Sequence, residues 1–133
     1  MICPERSGLY CVLYNEFMLG IWKIKYYTPP SGGESPIYEF IESLPEKAQS
    51  KLVNSLDLLS AYGIQLKEPH VKKVAGTPLW EFRILGENSI RVFYIALKGS
   101  TFLLLHAFKK KKQKTPHKEI QTALNRLEEF QSR

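Results

Sequence analysis

The sequence contains no apolar run that approaches the roughly 20 residues needed to cross a bilayer. It therefore predicts no membrane-spanning helix and no membrane partner. Only two cysteines occur, Cys3 and Cys11, and the residues around them do not resemble a signal peptide. Two cysteines do not make a disulfide framework, so the sequence predicts a reducing, cytoplasmic location.

Several kinds of reactive site are also missing. The histidines, His70, His106 and His117, show no metal-ligand spacing with one another or with the cysteines. Gly32 and Gly33 lack the lysine and the helix pattern that a phosphate-binding loop requires. The carboxylates lie mostly in the first half and form no cluster suited to two metal ions. The sequence predicts neither a metal nor a cofactor.

Charge divides the chain into unlike halves. Residues 1–68 carry a balance of −2 and residues 69–133 a balance of +8, within a total of +6. Clustered lysine and arginine attract phosphates, so the second half predicts a polyanionic partner. A merely solvated basic surface is the alternative.

The hydrophobic periodicity predicts one small α+β domain over 18–133, with residues 1–17 as a dispensable extension because Met18 resembles a protein start. The predicted elements are strands over 21–27, 79–85, 89–97 and 101–108 and helices over 37–43, 45–63 and from 115 onward. In the order β-α-α-β-β-β-α, the helices are expected to cover one face of a mainly antiparallel four-stranded sheet. Trp80, Phe82 and Ile84 are predicted to point toward those helices. Thr115 and Pro116 are predicted to cap and open the last helix.

Two strand arginines suggest a phosphate site. A three-residue turn at 86–88 pairs Arg83 directly with Arg91, whereas a two- or four-residue turn puts them on opposite faces. Two adjacent guanidinium groups repel each other, and a phosphate bound between them would explain such a pair. The alternative for each arginine is a solvated or ion-paired residue.

A basic segment follows the last strand, with five lysines between residues 109 and 114. Phe108 precedes it, and an aromatic ring beside lysines is the combination that stacks a base while binding its backbone. The alternative is a core phenylalanine. His106 is either a proton-transfer group or a neutral histidine hydrogen-bonded at the sheet edge.

Four stretches then follow one another: LWEFRI (79–84), RVFY (91–94), LLHAFKKKKQKTP (104–116) and EIQTALNRL (119–127). In this order they resemble the HigB/RelE superfamily of type II toxins, in particular its HigB-like branch first described as phage-derived proteins. The resemblance covers roughly residues 20–130, and residues 1–17 have no counterpart in it.

The resemblance implies a RelE-like fold and a toxin that enters the ribosomal A site and cuts mRNA without a metal. Arg83 and Arg91 are then expected to hold the scissile phosphate. Glu81 departs from the pattern, since better-studied relatives have a lysine or histidine there, so the general base stays open. The predicted catalytic residues are Glu81, Arg83, Arg91, His106 and Lys109, and the predicted RNA-contacting residues are Phe108, Lys110, Lys111, Lys112 and Lys114.

The implied partners are the ribosome, its mRNA and a helix-turn-helix antitoxin. Two other hypotheses stay open at this point. One is a non-catalytic RNA- or ribosome-binding module, or a toxin that has lost its activity. The other is a structural protein whose basic face docks an acidic partner.

Overall fold

The computed structural model describes residues 22–84, 86, 89–111 and 114–133. The predicted extension over 1–17, both cysteines and Lys112 lie outside the described residues. The strands are β1 (Lys23–Tyr26), β2 (Val71–Lys73), β3 (Trp80–Arg83), β4 (Ile90–Leu97) and β5 (Thr101–Lys109). The helices are α1 (Pro36–Ser43), α2 (Glu46–Tyr62), a 3₁₀ turn (Gly63–Gln65) and α3 (His117–Gln131).

The strands form one five-stranded mixed sheet in the order β1-β5-β4-β3-β2. β1 pairs with β5 in parallel, and the other neighbours are antiparallel. The α+β class is confirmed, but the predicted four-stranded sheet is wrong by one strand. β2 has only three residues, which is too short for an alternating pattern to appear in the sequence.

The boundaries of the first two helices agree with the predicted ones to within one residue, although the cap by Ser35 was not predicted. The Ser35 hydroxyl accepts hydrogen bonds from the backbone N–H groups of Ile37 and Tyr38, at 3.2 and 3.4 Å, and so caps α1. α2 ends at Gly63, whose φ of 59° is favourable only for glycine. The predicted cap of the last helix is wrong by one residue, because Pro116 holds the cap position and its side chain donates and accepts nothing there.

The sheet is covered on both faces. α2 lies on the face that we call the α2 face, where the backbone N–H of Trp22 donates to the Ser60 carbonyl oxygen (3.2 Å). Trp22 also stacks on Phe102 of β5, with ring centroids 4.3 Å apart. α3 lies on the opposite face, the α3 face, where its Glu119 contacts His106 at 2.6 Å.

The prediction that the helices share one face is therefore wrong. Strand alternation also directs a set of apolar side chains to the α3 face. A helix must cover this apolar group to shield it from water, as on the α2 face. The buried members of this apolar group include Phe93, Ile95, Leu103 and Phe108. The buried side chains of α3 are Ala123 and Leu127. The larger part of the core lies on the α2 face, where Phe82 and Ile84 are buried as predicted. Trp80 has that orientation but stays 39% exposed, with the Lys73 ammonium 5.4 Å from its ring centroid.

Candidate functional site

The candidate site lies on the α3 face, where three strands bring polar side chains into two rows. The first row is Arg83, Arg91 and Phe108, and the second is Glu81, Phe93 and His106. Residues directly opposite each other across a ladder share a face of the sheet. The register thus collects five of the sequence-predicted residues on one surface.

The pairing of Arg83 with Arg91 agrees with the register expected of a three-residue turn. Both side chains are only partly exposed, at 30% for Arg83 and 13% for Arg91. Strand pairing fixes their relative position, because a shift by one residue would move one arginine to the other face.

The carboxylate of Glu81 offsets part of the positive charge of the two arginines. Its Oε2 is 2.9 Å from Nε of Arg91 and 3.9 Å from Nε of Arg83, and the whole residue is only 6% exposed. The like charges are therefore offset by an internal carboxylate, which is the ion-paired alternative that the sequence left open for the arginines. The available signal was the spacing of Glu81 and Arg83, since residues two apart on a strand share a face.

His106 is held by two residues of α3. Its Nε2 is 2.6 Å from Oε1 of Glu119, and its Nδ1 is 3.2 Å from NH1 of Arg126. An arginine N–H can only donate, so Nδ1 accepts and Nε2 carries the proton that is donated to Glu119. Both ring nitrogens are engaged, which is the arrangement expected of the neutral, hydrogen-bonded alternative.

The surroundings of His106 also keep its ring neutral. Burial is the main cause that lowers its pKa below the usual 6.5, and the charge of Arg126 lowers it further. The hydrogen bond and the charge of Glu119 oppose this shift without cancelling it. Sequence reasoning missed Glu119 and Arg126, because nothing in a sequence tells which helix residues lie over a given strand position.

Phe108 is 5% exposed and packs within the protein. Its ring stacks on the His106 ring, with centroids 5.5 Å apart and planes 14° apart. It also contacts Phe93, at a centroid distance of 5.2 Å. This environment fits a core phenylalanine better than a platform for an RNA base.

The predicted lysines separate by strand alternation. Lys109 lies opposite Ile90 and is exposed on the α2 side of the sheet, away from the arginines. Lys110 continues the ladder, since its backbone N–H donates to the carbonyl oxygen of Ser89, and this places it on the α3 face. Lys111 and Lys114 are exposed beyond the end of the strand.

β2 adds residues to the α3 face that sequence reasoning missed. Lys72 lies opposite Glu81, and the Arg83 backbone N–H donates to the His70 carbonyl oxygen over 2.8 Å. The register therefore puts Lys72 and His70 beside Glu81 and Arg83. With Lys110 at the other side, the face carries cations from β2 to the end of β5, with Glu81 among them.

In the described part of the chain, no group of three or more His, Cys, Asp or Glu side chains is placed to hold a metal ion. None of the helices described is long and apolar enough to cross a membrane. The groups that this surface offers are thus guanidinium, ammonium and carboxylate groups, which bind phosphate oxygens and exchange protons.

A protein-family model matches more than half of the chain. The model described as phage derived protein Gp49-like (DUF891) matches residues 39–128, which is 90 of the 133 residues. The matched region includes Glu81, Arg83, Arg91, His106 and Glu119. Comparison with curated proteins gives no match.

Proposed function

The chain belongs to the Gp49-like family of phage-derived, toxin-like proteins, and we propose that it is the toxin of a type II toxin–antitoxin pair. In this proposal it is an endoribonuclease that cuts mRNA on the ribosome, as the HigB/RelE resemblance implies. A helix-turn-helix antitoxin is the implied inhibitor. The observation that carries the proposal is the pair of arginines held by Glu81 on one face of the sheet.

The reaction we propose is an attack by the ribose 2′-oxygen on the neighbouring phosphorus. The O2′–P bond forms while the P–O5′ bond breaks, which leaves a 2′,3′-cyclic phosphate and a 5′-hydroxyl. The 2′-hydroxyl must lose a proton and the departing 5′-oxygen must gain one. No oxidant, metal or further reactant is needed for this balance.

Arg83 and Arg91 suit the phosphate because a guanidinium binds two oxygens and stays charged at neutral pH. They would stabilise the extra negative charge on the phosphorane. The Glu81 carboxylate, in contact with both, is the candidate base for the 2′-proton. Lys110, on the same face beside the first row, is the candidate donor to the leaving oxygen.

In this proposal His106 is not a catalytic residue, although the sequence predicted that it would be one. Both of its ring nitrogens are engaged by α3, so we assign it to the support of the site. It joins α3 to β5 and stacks on Phe108, next to Arg91. Lys109, on the other side of the sheet, is assigned no proton transfer.

One observation favours a second candidate function. Glu81 is 6% exposed, and a general base must come within hydrogen-bond reach of the 2′-hydroxyl. If Glu81 stays closed against the arginines, the surface binds RNA or the ribosome without cutting. This is the non-catalytic module, or the inactivated toxin, that the sequence left open.

The deciding experiment is inducible expression in a bacterium, followed by primer extension on a translated mRNA. We expect growth arrest and new mRNA ends inside codons for the wild type, and neither for Arg83→Ala plus Arg91→Ala. A matched control is Lys47→Ala plus Lys98→Ala, which removes the same charge from exposed positions on α2 and on the β4–β5 turn. It should behave as wild type.

The chemistry is checked on purified ribosomes programmed with mRNA, at a magnesium concentration that keeps the ribosome assembled. New ends that carry a 2′,3′-cyclic phosphate and a 5′-hydroxyl support the proposed attack by the 2′-oxygen. A folded wild type that binds ribosomes but produces no ends would establish the binding module instead. Equal loss in both double variants would show that bulk charge, and not the arginine pair, is what matters.

A further inference from the structure

β2 carries two adjacent lysines whose side chains lie on opposite faces of the sheet. Lys72 is opposite Glu81 and so lies on the α3 face. Lys73 is opposite Trp80 and lies on the α2 face, where its ammonium group contacts the Trp80 ring. Both residues are exposed, so the strand offers one cation to each side.

Lys72 lies opposite Glu81 on the neighbouring strand, and Arg83 is two residues along β3 from Glu81. Strand and residue spacings put the backbone positions of Lys72 and Arg83 about 8 Å apart. The flexible four-carbon stem of a lysine lets its ammonium group adjust to a phosphate next to the one at the arginines. Glu81, which lies between Lys72 and β4, already has Arg83 and Arg91 as ion partners.

We propose that Lys72 forms a second phosphate subsite, which binds the phosphate adjacent to the one held by Arg83 and Arg91. This rests on the proposed function, since it assumes that the α3 face receives RNA. The RNA strand then crosses β4, β3 and β2 in turn. Lys72 is a binding residue and touches none of the reacting atoms.

The position of β2 in the sheet supports this path. β2 is an edge strand, so a nucleic acid strand that crosses it can leave the protein surface. Arg83 and Arg91 are partly covered, whereas Lys72 is exposed and can reach a phosphate without displacing other groups. His70 flanks this path beside Arg83 and is half-buried.

The test compares Lys72→Gln with Lys73→Gln, which make the same chemical change one residue apart on opposite faces. The probe is a short single-stranded RNA, fluorescently labelled and 2′-O-methylated so that it cannot be cut. Its affinity is measured by anisotropy from 50 to 200 mM salt. Each phosphate contact contributes about 0.7 to the slope of log affinity against log salt, or about 2.5-fold over this range.

We expect Lys72→Gln to lower that slope by about 0.7, and Lys73→Gln to leave it unchanged. On programmed ribosomes, Lys72→Gln should raise the protein concentration for half-maximal cleavage and leave the maximal rate intact. Equal slopes for the two variants, with a wild type that binds and cuts RNA, would overturn the subsite alone. A wild type that neither binds nor cuts RNA would overturn the proposed function together with it.

Discussion

Arg83 and Arg91 lie directly opposite each other across β3 and β4, and both contact the same oxygen of Glu81. Two cations and one buried carboxylate form a unit with a surplus positive charge. This surplus positive charge attracts an anion such as a phosphate.

Glu81→Gln should lower stability and increase the response to anions. The change leaves two adjacent guanidinium groups without their carboxylate, which we expect to cost about 1–3 kcal/mol because both are partly exposed. Sulfate should then raise the melting temperature of this variant more than that of the wild type, since sulfate can take the place of the carboxylate.

The control for this prediction is Glu128→Gln, an exposed carboxylate on α3. It should match the wild type in melting temperature and in its response to sulfate. If Glu81→Gln did so too, the carboxylate would not be what holds the arginines together. Loss of mRNA cleavage in Glu81→Gln, with RNA binding retained, would separately support its role as base.

The stability of the protein should fall with acid through His106. Its pKa in the folded protein is below the usual 6.5, so below that pH the unfolded chain takes up a proton that the folded chain refuses. The free energy of unfolding should therefore decrease as pH falls from 6.5 toward 5.5, with a slope from this group of up to about 1.4 kcal/mol per pH unit.

Urea unfolding at several pH values measures that slope. His106→Gln should be less stable than the wild type at pH 7.5 but should have a flatter pH dependence. His117→Gln, at an exposed position where α3 begins, is the matched control and should keep the wild-type slope. An identical slope in His106→Gln would mean that this ring protonates in the folded protein as easily as in water.

Gly63→Ala should destabilise the fold. The residue has a φ of 59°, and a Cβ added there would overlap the indole of Trp22. We expect a loss of about 1–3 kcal/mol from backbone strain and overpacking. Gly33→Ala, where a Cβ meets open space, should change stability by less than about 0.5 kcal/mol. Chemical denaturation measures the free energy of unfolding of the two variants. Equal values for both would contradict the predicted overlap with Trp22.

Phe108→Leu distinguishes a core ring from an RNA-stacking ring. The ring is buried against His106 and Phe93, so we expect a stability loss of up to about 1.5 kcal/mol and unchanged affinity for single-stranded RNA. If Phe108 stacks on a base, the substitution should instead weaken RNA binding by about 1–3 kcal/mol. Fluorescence anisotropy of a labelled single-stranded RNA, measured at the same salt concentration for the wild type and for Phe108→Leu, distinguishes the two outcomes.

Most of the secondary structure was predictable because its signals are local. Pro36 predicts the start of α1, Gly63 predicts the end of α2, and period-two alternation predicts the three consecutive strands β3, β4 and β5. β2 was not predictable, since three residues carry no period and Val71–Lys73 becomes a strand only by pairing with β3. The parallel partnership of β1 with β5 joins residues far apart in the sequence, and no local pattern encodes it.

The sequence by itself determined which residue types are present for phosphate chemistry and which of them alternate onto one face of a strand. It left the pairing of Arg83 with Arg91 open between turn lengths, and the strand register of the folded sheet decided it. Only the tertiary structure decided which charges meet. The register placed Glu81 on the arginines, and α3 brought Glu119 and Arg126 onto His106, because contacts between distant elements depend on packing and not on spacing along the chain. The same register put Lys72 of β2 beside Glu81 and Arg83, so the extent of the basic face across the sheet is a property of the folded protein.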